Sequence, residues 1–198
     1  MRHGARRARQ RPGVTAAILL AAGASRRFGA QNKLLAAFRG RPLVTHAAEA
    51  LRASGLAPLI AVTTSPDVAA LLPGFHLVSP DRPDPEQSDS LRAGVAEARR
   101  LGAPSALVAL ADMPGVTPDL LRTVAARATA TEAAAASDGL RALPPACFPA
   151  ALFDALLGAT GDRGARPLLA GLPPAQHVPA PPEALRDIDT PGDLAAQA

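Results

Sequence analysis

Three stretches hold residue types suited to phosphate and metal. The first, "GASRRFGAQNK", runs from Gly23 to Lys33. Of the chain's 21 basic residues, Lys33 is the only lysine. Gly23 and Gly29 permit a tight backbone path with exposed amides, and such a nest of N–H groups suits phosphate oxygens. Arg26, Arg27 and Lys33 add positive charge. A planar guanidinium grips two oxygens at once, whereas an ammonium is a compact charge that can follow a reacting phosphate. The loop also reads as a plain solvated turn, because its spacing is neither G-x-x-x-x-G-K-[ST] nor G-x-G-x-x-G.

The second stretch, "ALVALADMPGVTP", sets Asp112 directly after an apolar run. The third, "RDIDTPGDL", alternates Asp187 and Asp189 around Ile188. If that segment is a strand, both carboxylates share one face. Beside a phosphate loop such acids suit Mg²⁺, which takes one or two carboxylates plus substrate phosphates. Taken alone, Asp112 is equally an exposed strand end, and the Asp187/Asp189 pair equally a solvated edge.

Two further stretches are polar at useful places. "EQSDSLRAG" offers Ser88 or Asp89 as a helix cap, and its first turn can also present amides to a base or ribose. "GDRGAR" sets Asp162, Arg163 and Arg166 between glycines. It reads as a loop that closes over an anion, or as a helix cap with surface charges. His3, His46, His76 and His177 do not cluster in sequence, and His46 reads as a packed or surface helix residue. No Ser-His-Asp or Cys-His arrangement suggests itself. Cys147 lies among apolar residues and reads as buried and inert.

The elements that must position these residues follow from apolar runs and their punctuation. "TAAILLAAG", "PLIAVTTS", "FHLVSP" and "SALVALAD" read as strands. "RPLVTHAAEALRASG", "SPDVAALLPG", "SDSLRAGVAEARRLG" and "TPDLLRTVAARAT" read as helices, with Ser65 and Thr117 as caps and Gly55 as a stop. This alternation predicts βαβ units in a three-layer α/β/α sandwich with a mostly parallel, Rossmann-like sheet. Right-handed crossovers then gather the strand ends on one edge, where ligands bind. The last third predicts a strand, a turn at Asp138-Gly139 and a return strand. A helix over "PAALFDALLG", a helix after "GDRGAR", a proline-rich extended segment and a final short helix capped by Thr190 complete it.

Composition sets the bounds. The chain has 198 residues, of which 48% are apolar and only 3% aromatic. That predicts one domain over residues 14–198 with a core of Ala, Leu, Val and a few Phe. The formal charge of +4 is concentrated in residues 1–13, "MRHGARRARQRPG", with five arginines and no acid; this segment is expected to be a disordered tail. A basic tail can bind nucleic acid, but the scarcity of aromatics argues against a stacking platform. A single cysteine excludes an intrachain disulfide and a cysteine zinc site. No apolar run is long enough to span a membrane, and no secretory pattern opens the chain, so a cytoplasmic location is expected.

Together the motifs resemble one family. "LAAGASRRFG…K" is similar to the signature loop of nucleotidyltransferases with the nucleotide-diphospho-sugar transferase fold. "LADMP", "QSDSLRAG", "GDRGAR" and "DIDTPGDL" resemble later motifs of the branch holding the molybdenum cofactor cytidylyltransferases and guanylyltransferases. The resemblance runs from about Thr15 to Leu194. It implies transfer of a nucleotide to a phosphorylated acceptor with release of pyrophosphate. It further implies nucleotide contacts at Leu20, Ala21, Ala22, Gly23, Ser25, Arg27, Gly29, Lys33, Ser88 and Ser90. Lys33, Arg27 and Asp112 would be catalytic, and Asp112 and Asp189 would hold Mg²⁺. Arg163 and Arg166 would face the acceptor. Ala22, where guanylyltransferases carry glycine, implies CTP, with molybdopterin as acceptor and a molybdoenzyme as recipient. A sugar phosphate or other phosphorylated acceptor, or a non-catalytic nucleotide-binding cofactor chaperone, are the alternatives. The chain departs from the branch at Asp89, where a small residue is common, and in "ALPPACF", which lacks a Gly-His-Pro.

Overall fold

The computed structural model describes residues 14–23, 28, 32–82 and 84–197. β1 (Ala16–Leu20) is followed by a small hairpin of β2 (Ala37–Phe38) and β3 (Arg41–Pro42), then α1 (Leu43–Ser54) and β4 (Leu59–Val62). Next come α2 (Pro66–Ala70), β5 (His76–Val78), α3 (Gln87–Arg100), β6 (Ser105–Leu110) and α4 (Pro118–Arg127). The last third adds β7 (Ala134–Ser137), β8 (Ala142–Pro149), α5 (Phe153–Leu157), α6 (Arg166–Ala170), β9 (His177–Pro179) and α7 (Pro191–Gln197). The expected tail over residues 1–13 lies outside the described residues.

The strands form a seven-stranded sheet in the order β5-β4-β1-β6-β8-β7-β9. β1 runs parallel to β4 and β6, β4 to β5, and β7 to β9; only the pairings of β8 with β6 and β7 are antiparallel. The expected hairpin is present: Asp138 Oδ1 accepts from the amides of Leu140 and Arg141 and turns β7 into β8. Alternation along β1 divides the core. Ala17 and Leu19 face the side covered by α1, α2 and α4, while Ala16 and Ile18 face the side covered by α3, α5 and α6. A strand buried on both faces explains the unbroken apolar run "AAILL".

The order reverses between β1 and β6, because β1 leads to β4 on one side and α3 returns the chain to β6 on the other. Their carboxyl ends are level: the Ala111 amide donates to Leu20 O at 3.0 Å. This is the crevice where open α/β sheets take ligands.

α3 lies unusually close to the sheet. A Cβ on Gly94 would stand 2.6 Å from Ile18 Cγ2 and 3.1 Å from Val62 Cγ2. Gly94→Leu is therefore expected to cost about 3 kcal/mol or more by overpacking, and Gly94→Ala less, because its gain in helix propensity offsets part of the clash. Urea-unfolding midpoints of the two variants check this order.

Candidate active site

The first site residue arrives on a short turn. Asn32 Oδ1 accepts from the Leu34 amide at 3.0 Å and caps a 3-10 turn over Lys33–Leu35. The turn buries Lys33 to 8% exposure. Its ammonium donates to Asp112 Oδ2 at 2.7 Å and to Asp189 Oδ1 at 2.8 Å. Burial works against this charge, but Asp112 and then Asp189 outweigh it, and the lysine pKa is raised. Lys33 is thus a fixed ammonium at neutral pH, not a proton acceptor.

Asp112 follows β6 directly, at the reversal point. Its Oδ1 is buried and has no hydrogen-bond partner. A buried carboxylate oxygen without a partner is costly, so an incoming cation or donor is the natural complement. Asp189 reaches the same place from far along the chain. The Ile188 amide donates to Asp112 O at 2.9 Å, which lays the segment beside the end of β6. Thr190 then caps α7: Asp193 N donates to Thr190 Oγ1 at 3.1 Å, and Asp193 Oδ2 accepts from the amides of Thr190 and Asp189. The Thr190 hydroxyl also donates to Asp193 Oδ2 at 2.8 Å, and this bond first, then those from the two amides, hold the Asp193 carboxyl below its usual range.

The expectation that Asp187 and Asp189 share one strand face is corrected. Residues 186–189 form no strand. Ile188 is fully buried in the core and its amide is taken by Asp112. The flanking aspartates go different ways, Asp189 to Lys33 and Asp187 to the wall of a second cleft. Although Asp187 as a whole is exposed, burial at its carboxyl, and then the Asp189 and Asp112 charges, push its pKa up.

Two adjoining clefts open here. The first, about 470 Å³, is lined by Leu20, Ala21, Ala22, Gly23, Lys33 and Ser90, six of the residues expected to contact a nucleotide, and by Asp112. It is also lined by Arg82, Asp84, Glu86, Gln87 and Asp162, of which only Asp162 was singled out from sequence. The polar run "PDRPDPEQ" after β5 is the signal for the other four, because loops at the carboxyl edge of parallel strands face the ligand. Ser88 is fully buried and does not line this cleft. Nor do Ser88 or Asp89 cap α3: the cap is Glu86, and Asp89 lies in the first turn. Ser25, Arg27 and Gly29, together with Arg26, lie outside the described residues.

The second cleft, about 690 Å³, shares Leu20, Gln87 and Leu110 with the first. Arg163 and Arg166, the residues expected to face an acceptor, line it along with Arg141, His177 and Asp187. Much of the wall is apolar: Leu91, Val108, Leu143, Leu169 and Leu172. Among the described residues, no group of three or more His, Cys, Asp or Glu side chains is placed to hold a metal by itself. Cys147 is buried in the core, and burial pushes its thiol up to about 12. It is inert, as expected. His46 donates through Nε2 to Phe38 O at 2.9 Å and accepts at Nδ1 from Arg41 Nη2 at 3.3 Å, and it lines neither cleft.

Residues 17–179 match the family model described as MobA-like NTP transferase domain. The chain belongs to the MobA-like NTP transferase family. It is a nucleotidyltransferase. Curated relatives agree. The chain is 31% identical to the purine catabolism protein PucB of Bacillus subtilis, over 77% of this chain and 78% of that one. It is 33% identical to the molybdenum cofactor guanylyltransferase of Acidiphilium cryptum, over 71% and 69% respectively. Among solved structures, a nucleotidyl transferase from Methanothermobacter (Mth528) superposes with a TM-score of 0.81 over 92% of this chain and 95% of that one. At 24% identity that match speaks for the fold. Rv0371c of Mycobacterium tuberculosis gives a TM-score of 0.79 at 26% identity, over 95% of this chain and 98% of that one. A further Rv0371c structure, a complex with manganese, gives 0.75 over 93% and 97%. No helix among the described residues of this MobA-like transferase is long and apolar enough to cross a membrane.

Proposed function

We propose that this chain is a Mg²⁺-dependent cytidylyltransferase that moves CMP from CTP onto the phosphate of molybdopterin and releases pyrophosphate. The observation that carries this reading is the pair of adjoining clefts, which share Leu20, Gln87 and Leu110, with Lys33 and Asp112 in the wall of the first and Asp189 bonded to that lysine. The first is polar and has the size of a nucleotide site. The second combines arginines with an apolar wall. That lining suits a phosphate on a flat heterocycle better than a sugar phosphate, whose hydroxyls would need more hydrogen-bond partners.

In the reaction an oxygen of the acceptor phosphate attacks the α-phosphorus of CTP. A new P–O bond forms, the bond to the β-phosphate bridging oxygen breaks, and pyrophosphate leaves with that electron pair. The acceptor phosphate is already ionised, so no general base is needed. The work of the chain is alignment and charge neutralisation. Lys33 would offset charge at the α-phosphate, while the amides after Gly23, with Arg27, would hold the departing phosphates. Ser90 and the start of α3 would seat the nucleoside. Arg163 and Arg166 would hold the acceptor phosphate. Asp112, through its unpartnered Oδ1, and Asp189 suit Mg²⁺, which when bound would neutralise phosphate charge and bring both reactants together.

Ala22 supports CTP through the resemblance, whereas the Acidiphilium relative is named for guanylyl transfer. GTP is therefore the second reading. Residues 14–198 would act as one domain in the cytoplasm, handing the cofactor to a molybdoenzyme. A pyrophosphate-release assay that crosses CTP, GTP, ATP and UTP with molybdopterin and a panel of sugar phosphates, with Mg²⁺ present, tests this. CTP- and molybdopterin-dependent release is expected. A strong GTP preference overturns the base assignment, and release with a sugar phosphate alone overturns the acceptor.

A further inference from the structure

The two clefts meet at the first turn of α3, and one buried carboxylate lies beneath that turn. Asp89 is 6% exposed. Its Oδ2 accepts from the Glu86 amide at 2.9 Å and lies 3.7 Å from Arg82 Nη1. Its Oδ1 is paired with Arg92. Arg92 in turn donates through Nη1 to Ala159 O at 2.7 Å. Ala159 opens the loop that places Asp162 in the first cleft and Arg163 and Arg166 in the second. The same loop touches α3 once more. At Gly164, with φ +50, a Cβ would stand 3.2 Å from the Gln87 side chain, and Gln87 lines both clefts.

A small hydroxyl residue at position 89 would suffice to accept from the Glu86 amide. Only a carboxylate can also engage two guanidiniums. A buried acid is retained at cost unless its partners need it. Here the partners are a cleft-rim arginine and the arginine that anchors the acceptor-side loop.

We propose that Asp89 is a positioning residue that sets the nucleotide cleft and the 159–166 loop in register with each other. It fixes the α3 first turn through Glu86, the rim through Arg82, and the loop through Arg92. The assignment rests on the reading of the two clefts given above; the mechanical link does not.

Three variants, compared by amide exchange of a peptide spanning residues 159–166, separate the link from simple capping. Asp89→Ser keeps an acceptor for the Glu86 amide but lacks the charge. Asp89→Asn keeps shape and also lacks the charge. Arg92→Met removes the loop anchor while leaving Asp89 and Arg82. All three are expected to speed exchange in 159–166 by about tenfold while the α1 and β4 peptides stay as in the wild type. Calorimetry with CTP or GTP and Mg²⁺ is expected to show about fivefold weaker binding in both Asp89 variants, and wild-type binding in Arg92→Met. Wild-type exchange in 159–166 for Asp89→Ser or Arg92→Met overturns the proposal, as does faster exchange spread evenly over the protein. If the wild type binds neither nucleotide, the reading of the first cleft fails, and the exchange result still decides the role of Asp89.

Discussion

Asp112→Ala is expected to lower turnover by roughly a thousandfold or more while nucleotide affinity falls far less. The carboxylate sits at the end of β6, at the reversal of strand order, with one oxygen on Lys33 and the other buried without a partner. Asn keeps the shape but not the charge, so Asp112→Asn is expected to be nearly as impaired. The fold is expected to survive, because Asp189 still holds the lysine. Single-turnover rates beside equilibrium nucleotide binding separate the chemical step from affinity. Normal turnover in a folded Asp112→Ala variant removes the metal assignment. Asp189→Ala is expected to be milder, since that side chain is 41% exposed where the Asp112 side chain is 21% exposed.

Lys33→Arg is expected to cost roughly a hundredfold in turnover, although it conserves charge. The ammonium is buried and bonded to two carboxylates on different segments. A guanidinium there is larger and planar, and it favours a two-pronged grip on one carboxylate. It would be held more firmly than an ammonium, which the proposed role requires to shift toward a phosphate. Steady-state kinetics with thermal melting as a fold control decides the point. Full activity in Lys33→Arg shows that any cation suffices. Because the lysine pKa is raised, the wild type is expected to show no activity loss from Lys33 deprotonation between pH 6 and about 9.

Much of the framework was legible because its signals are local. Buried strands such as "AAILL" announce themselves by unbroken apolarity, and Ser65, Thr117 and Thr190 do cap their helices. The Asp138-Gly139 turn was legible for the same reason. Errors arose where geometry depends on distant chain. Spacing placed Asp187 and Asp189 on one face, but a core contact at Ile188 and its bond to Asp112 replace the strand with an irregular segment. The two carboxylates that Lys33 reaches, 79 and 156 residues away, likewise have no signal near it in sequence. At α3 the helix begins earlier than expected. Glu86 follows Pro85, and the reciprocal bond from Glu86 N to Asp89 moves Asp89 inside the first turn.

Lys33 between its two aspartates also sets a tally of charge. In the wall of the first cleft, among the described residues, two carboxylates are paired with one ammonium, so this cluster by itself holds one more negative than positive charge. A triphosphate brought there unaccompanied would add repulsion at the spot where it must be gripped. The imbalance favours a nucleotide that arrives already complexed with a divalent cation, and it disfavours stray anions such as inorganic phosphate. The ion-paired lysine is thus expected to bias the first cleft toward a guest whose charge a cation has already offset.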